Sequence, residues 1–253
     1  MLKKQIGFDV NAKKYSQWNV TTNSTYLTQF YNFAGISSTD KVIDIACGSG
    51  DFLLNCADDI GESKGIDLSE SLIKIANAHL KEREIKNVYF EVKDIEKHEV
   101  AYDTLYDAVI CRMALHHFNS YDVAFQNCLL FGKSNCKVAM QDIIAHNIEE
   151  VDQYFDKLER LIDNSHNKII SRSYFEELFK KGNIDIINSF VLEREIVLKD
   201  YMMHANQTVE SNFVLEKIIG EGLEDPIIGK YIYLKDNQIV FKRKVLLING
   251  RRR

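Results

Sequence analysis

A chain of 253 residues, 45% hydrophobic and 27% charged, holds enough apolar material for a packed core, and a single proline beside 12 glycines excludes collagen-like and low-complexity classes. Lys and Arg total 32 against 37 Asp and Glu, and the formal net charge of −5 argues against nucleic acid as the main partner. No run approaches the roughly 18 apolar residues of a membrane span. The start, Met1-Leu2-Lys3-Lys4-Gln5-Ile6-Gly7, has no apolar segment behind its lysines, so a cytoplasmic protein is expected. The cysteines (Cys47, Cys56, Cys111, Cys128, Cys136) form no C-x-x-C pair and several sit in apolar runs. Small buried side chains are expected of them, with no metal site and no disulfide framework.

In chain order, Val42 to Ala46 reads as a short strand, a Gly-rich turn and helix occupy 47–57, and a second strand ends at Gly65-Ile66-Asp67. A helix follows with Ser69 as N-cap and Leu72, Ile75, Ala76 and Leu80 on one stripe. Strand three is expected over 88–92, strand four over 106–113, a helix over 121–130 and strand five over 136–143. Such alternation predicts an α/β fold, doubly wound on a mostly parallel sheet with right-handed crossovers. Next come an amphipathic helix over 148–162 and another announced by the capping box Ser173-Tyr174-Phe175-Glu176 and closed by Gly182. A long strand over 185–198, a helical stretch over 200–219 and a last strand over 238–248 complete seven strands, the two late ones suggesting an antiparallel edge on the parallel sheet, with the last strand antiparallel. The helices inserted after strand five would cover one end of the sheet, and Arg251-Arg252-Arg253 reads as a solvated tail.

In an open parallel sheet the ligand lies beyond the carboxyl ends of the strands where strand order reverses, here the loop after strand one. That loop carries small residues at Ala46, Gly48 and Gly50, with Asp44 placed under the turn. A carboxylate there suits an amine-bearing ligand better than a pyrophosphate, which argues against a dinucleotide site, and the absence of a following Gly-Lys-Ser/Thr excludes a P-loop. Asp67 closes strand two at the distance from the Gly-rich turn where an acid accepts both hydroxyls of a ribose. Asp94 follows strand three, where a short acid can accept from an adenine amine. Three acids at three successive strand ends is the pattern for a nucleoside that carries no phosphate.

The run Val42-Ile43-Asp44-Ile45-Ala46-Cys47-Gly48-Ser49-Gly50, Asp67 with its Leu-Ser helix start, Lys93-Asp94-Ile95, and Tyr106 through Ala114-Leu115-His116-His117-Phe118 together resemble the class I S-adenosylmethionine-dependent methyltransferases. The chain is most similar to the branch of ubiquinone/menaquinone C-methyltransferases and many small-molecule methyltransferases. Over residues 8–145 the motifs follow in order, and Asp163-Asn164-Ser165-His166 is similar to that branch's Asp-Pro-Ser-His segment. The resemblance implies a Rossmann-like fold in which S-adenosyl-L-methionine is the cofactor and S-adenosyl-L-homocysteine the product. Asp44, Ala46, Gly48 and Gly50 would then line the methionine moiety, Asp67 the ribose, Leu68 one adenine face, and Asp94 with Ile95 the adenine edge. Arg112 and Met113 would form the floor below the sulfonium, and Phe8-Asp9 with Tyr15 would belong to a lid over the cofactor. A single domain over 1–253 is expected: a lid over 1–40, a cofactor core over 41–146, a helical substrate cover with strand six over 147–230, and the last strand with its basic tail over 231–253. Ala46 stands for the family's first glycine, and Asn164 for its proline, so a quinone acceptor is not assigned.

For catalysis, His117 and then His116 are the candidates, since a neutral imidazole at the end of strand four could take the acceptor's proton. Tyr15 is a third, while His166 and His204 in the cover could touch substrate. The expected reaction is methyl transfer to a small, partly apolar molecule, on C, O or N. A tRNA or protein methyltransferase, a protein that binds the cofactor without methylating, and a nicotinamide oxidoreductase stay open as alternatives, as does a homodimer.

Overall fold

The computed structural model describes residues 2–17, 22–97, 105–202 and 209–253. Its strands are β1 (Val42–Ile45), β2 (Ser63–Asp67), β3 (Val88–Val92), β4 (Tyr106–Arg112), β5 (Gly132–Ile144), β6 (Ile184–Val197), β7 (Ile232–Lys235) and β8 (Gln238–Arg252). Its helices are α1 (Leu2–Tyr15), α2 (Ser24–Ala34), α3 (Asp51–Asn55), α4 (Glu70–Glu82), α5 (Tyr121–Leu129), α6 (Glu149–Ile162), α7 (Arg172–Lys181), α8 (Leu198–Met202) and α9 (Val209–Glu224). The sheet order is β3-β2-β1-β4-β5-β8-β6, with β1 to β5 parallel and β8 antiparallel to both of its long neighbours. Chain order reverses between β1 and β4, which opens a crevice above their carboxyl ends.

Both faces of the central strands are covered, so their sequences are continuously apolar rather than alternating. Ala108 and Ile110 face α2 and α3 through Leu27, Phe30 and Phe52. Val109 and Cys111, one residue out of phase, face α5 and α7 through Phe125, Phe175 and Phe179. The expected α/β architecture with an antiparallel last strand is therefore the observed one.

Several details differ. The two late strands form the antiparallel edge out of chain order: β8 slots between β5 and β6, pairing Lys137–Ile144 of β5 with 244–251 and leaving β6 outermost. β8 also runs past the end of β5, and the short β7 fills the vacated edge by pairing with Gln238–Phe241. Arg251 and Arg252 are not a solvated tail but the end of β8, where Arg252 donates to Leu129 O at 2.6 Å and Arg253 forms an ion pair with Asp185. Helix α7 has its N-cap two residues before the expected one, at Ser171 rather than Ser173, and the Ser171 Oγ accepts the Tyr174 N–H at 3.2 Å. Gly182 closes it at φ −79°, so the glycine is needed for space rather than for a left-handed turn. A Cβ there would sit 2.6 Å from Leu129 Cδ1.

The projecting ends of β6, β7 and β8 carry a separate apolar cluster formed with α6, α8 and α9, including Phe155, Leu158, Tyr201, Leu215 and Phe241. Within it Arg243 of β8 and Tyr201 of α8 both bond the Glu159 carboxylate of α6, all three residues being buried. One buried carboxylate thus ties three elements of the cover together.

Candidate active site

The loop after β1 is shaped by backbone that turns left-handed at Ala46 (φ 55°), Gly48 (φ 57°) and Gly50 (φ 80°). At Gly50 no side chain fits, because a Cβ would collide with the Phe90 ring. The Cys47 N–H bonds Ile66 O at 3.0 Å, fastening the loop to β2. Asp67, at the end of β2, accepts the Gly48 N–H through Oδ2 and the Ser69 N–H through Oδ1, each at 2.8 Å. Burial raises the Asp67 pKa, opposed by these two N–H groups. The carboxylate that closes β2 therefore also holds the Gly-rich loop in place.

Asp44 on β1 is 2% exposed, and burial pushes its carboxyl up to about 7, with Arg112 pulling it down and Asp67 raising it. Arg112, the last residue of β4, donates from Nε to Gln141 Oε1 at 3.2 Å and lies over the Phe30 and Phe52 rings at 5.4 and 5.8 Å. Its guanidinium is thus held by a side-chain amide and two aromatic faces. Met113 follows at φ 50°, its N–H bonded to Gln141 O at 2.7 Å, so the chain turns sharply where it leaves the sheet.

Asp94 accepts the Glu96 N–H at 3.0 Å through Oδ1, while its buried Oδ2 has no hydrogen-bond partner among the described residues and the Lys97 ammonium stands 3.8 Å away. Glu96 accepts the N–H groups of Asn119 and Ser120 at 2.7 and 3.0 Å, bracing the end of β3 against the start of α5. Nine of the ten residues expected to hold the cofactor, from Asp44 to Met113, line one cavity over the carboxyl ends of β1 to β4; the tenth, Gly50, lies behind its wall, packed against Phe90. Phe8 closes it from α1, and the next residue, Asp9, accepts Ser69 Oγ–H at 2.5 Å and the Ser71 N–H at 3.0 Å. The start of α4, with its positive dipole end, thereby anchors the N-terminal helix.

The histidines separate. His117 lines the cavity, edge-on to Phe8 at 5.1 Å between ring centroids, with Nδ1 3.0 Å from Ser165 Oγ. Burial and the adjacent His116 lower its pKa, so the ring is neutral at physiological pH. His116 does not line the cavity: it turns inward, with Nδ1 2.5 Å from Asp142 Oδ1. His166 lies behind it, 5.6 Å ring to ring, bonded through Nε2 to Asp156 Oδ1 at 3.1 Å. Neither lines this cavity, and each is held by a buried carboxylate that the sequence pattern does not reveal. Tyr15 ends α1 and its side chain lies outside the described residues, as does His204. Ser165 and Asp163, which reach His117 from beyond α6, were not assigned to the site, although the Asp163-Asn164-Ser165-His166 segment stood out in the sequence; there Asp163 Oδ1 accepts the Ser165 N–H in an Asx turn.

Comparisons with known proteins agree with this geometry. The family model described as a methyltransferase domain matches residues 36–183. The uncharacterized methyltransferase YcgJ of Bacillus subtilis (strain 168) is 25% identical over 183 residues, covering 72% of this chain and 72% of its own. Its crystal structure superposes with a TM-score of 0.79 at 22% identity, over 90% of this chain and 97% of that one. A ubiquinone biosynthesis O-methyltransferase of Azoarcus sp. (strain BH72) is 30% identical over 93 residues, 37% of this chain and 40% of its own. The structure of geranyl diphosphate C-methyltransferase from Streptomyces coelicolor A3(2), in complex with Mg2+, geranyl diphosphate and S-adenosyl-L-homocysteine, has a TM-score of 0.60 at 13% identity, over 91% of this chain and 78% of that one.

Proposed function

The chain belongs to the methyltransferase-domain family, and from that premise we propose that it takes its methyl group from S-adenosyl-L-methionine and delivers it to a small, partly apolar molecule. The observation that carries this reading is the row of carboxylates along the wall of one cavity, Asp44 and Asp67 buried and Asp94 half-buried. The residues present fit the group: its ammonium, ribose hydroxyls and adenine amine are donors, and the cavity offers an acceptor for each. Asp94 Oδ2 in particular is a buried acceptor with no hydrogen-bond partner among the described residues, the Lys97 ammonium standing 3.8 Å away, and a ligand donor would satisfy it. The Streptomyces neighbour, of the same fold, holds S-adenosyl-L-homocysteine.

Asp44 would take the ammonium, Asp67 the ribose and Asp94 the adenine amine, with Leu68 and Ile95 as apolar contacts to the base. Ala46 and Gly48 leave backbone close enough for the methionine moiety to lie against it, Gly50 lets the turn close against Phe90, and Arg112 with Met113 forms the floor. When bound, the cofactor supplies an electrophilic methyl carbon on a positively charged sulfur. The protein has then to orient the acceptor, exclude water and remove a proton where the acceptor carries one. Phe8, Met113, Ala114 and Phe118 offer the acceptor an apolar wall, and His117, neutral and in the cavity, is the base.

Calorimetric titration with S-adenosyl-L-methionine, S-adenosyl-L-homocysteine, NAD and ATP tests this reading. Binding of the first two alone, at micromolar dissociation constants or tighter, is the expected result; binding of NAD in their place would overturn the assignment of the Asp44 loop.

A further inference from the structure

The segment after α6 is laced to the turn that carries His117. The Asn167 N–H bonds His116 O at 2.9 Å, the Asn167 side chain bonds Phe118 O at 2.6 Å, and His166 is fixed to Asp156. This holds Ser165, only 2% exposed, against the His117 ring, with Oγ 3.0 Å from Nδ1. The same hydroxyl lies 2.5 Å from Asp163 Oδ1, which also accepts the Ser165 N–H at 2.8 Å.

Proton counting decides the direction of these bonds. An ionised carboxylate has no hydrogen to give, so the Ser165 hydroxyl directs its one hydrogen to Asp163. The hydroxyl then faces His117 with a lone pair, and the hydrogen between them has to come from Nδ1. The hydrogen bond made by one ring nitrogen sets the state of the other.

We infer that Asp163, acting through the Ser165 hydroxyl, holds His117 in its Nδ1–H tautomer and makes Nε2 the proton-accepting atom of the ring. The inference rests on the reading of His117 as the base. Asp163 and Ser165 are positioning residues: they touch neither cofactor nor acceptor. A proton leaving the acceptor goes to Nε2, while the Nδ1–H bond is kept, and the positive charge that the ring acquires is met through Ser165 by the Asp163 carboxylate. Without this support a neutral imidazole would divide between its two tautomers, and part of the protein would present an N–H where a lone pair is required.

The test is nitrogen-15 NMR of protein labelled at histidine, at neutral pH, with neither cofactor nor acceptor added. The His117 signals are assigned by their loss in His117→Gln. In the wild type Nδ1 should resonate as the protonated, pyrrole-type nitrogen and Nε2 as the bare, pyridine-type one. Ser165→Ala should move both toward the averaged positions of a mixed tautomer, and Ser165→Thr, which keeps a hydroxyl, should retain the wild-type pattern; thermal melts establish that each variant is folded. A wild-type protein with its hydrogen on Nε2, or a Ser165→Ala spectrum with His117 unchanged, would overturn the inference. Because the spectra require no methyl transfer, failure of the base assignment would show separately, as a His117→Ala variant of undiminished turnover in a protein whose tautomer is still Nδ1–H.

Discussion

Asp44 allows a sharp test through pH. Its carboxyl is enclosed and its pKa pushed up to about 7, so the ligand-free protein holds a proton there through much of the acidic range. A ligand ammonium binds the carboxylate, not the acid, and must expel that proton. The sign follows: with the pKa raised in the free protein, affinity is full above about pH 7 and declines as pH falls through that value. For a pKa of about 7, the ionised fraction drops from about nine-tenths at pH 8 to about one-tenth at pH 6, which weakens binding about tenfold, or ~1.4 kcal/mol. Near pH 7 binding should release about half a proton, read from calorimetric titration of S-adenosyl-L-homocysteine in buffers of different ionisation enthalpy. Asp44→Asn should bind more weakly at pH 8, by about 1.5–3 kcal/mol for the lost charge-assisted bond, and should show no pH dependence over this interval. A flat wild-type profile would refute the argument, and so would an Asp44→Asn profile as steep as the wild type's.

Other perturbations follow from the same site and its supports. Asp67→Ala removes the acceptor of the Gly48 and Ser69 N–H groups as well as the one proposed for the ribose, and the dissociation constant for S-adenosyl-L-homocysteine should rise by the equivalent of about 2–4 kcal/mol. His117→Ala should lower turnover about 100-fold or more in a methyl-transfer assay while calorimetry finds cofactor affinity unchanged. Gly50→Ala forces a side chain into a left-handed turn and against Phe90, and denaturant unfolding should register a loss of about 1–3 kcal/mol. Glu159→Leu, which strips the buried Arg243 of its carboxylate, should destabilise by about 3–5 kcal/mol, and much of that should return when Arg243→Met is added in the same chain.

The cavity at the carboxyl ends of β1 to β4 was legible because its determinants are local. A short strand, a turn of small residues and an acid at each strand end are close in sequence, and the α/β alternation alone brings Asp44, Asp67 and Asp94 to one edge of the sheet. Arg112 and Met113 could be placed with them because they end β4, whose position beside β1 follows from the order of elements.

What only the tertiary structure decided lies where distant segments meet. The sequence has seven histidines, but which of them faces the cavity depends on which finds a buried carboxylate first. His116 is held by Asp142, 26 residues on, and His166 by Asp156 across the end of α6, while His117 is left to the cavity with Ser165 at its back, 48 residues away. The place of β8 between β5 and β6 was equally hidden, since β-strand pairing is chosen by backbone hydrogen bonds that any apolar strand can make. Only packing distinguishes the inner position from the edge. So does the reach of β8 beyond β5, which gives β7 its partner and Arg243 its buried acid. Periodicity and spacing describe what a segment is able to bury; long-range contact determines what it is buried against.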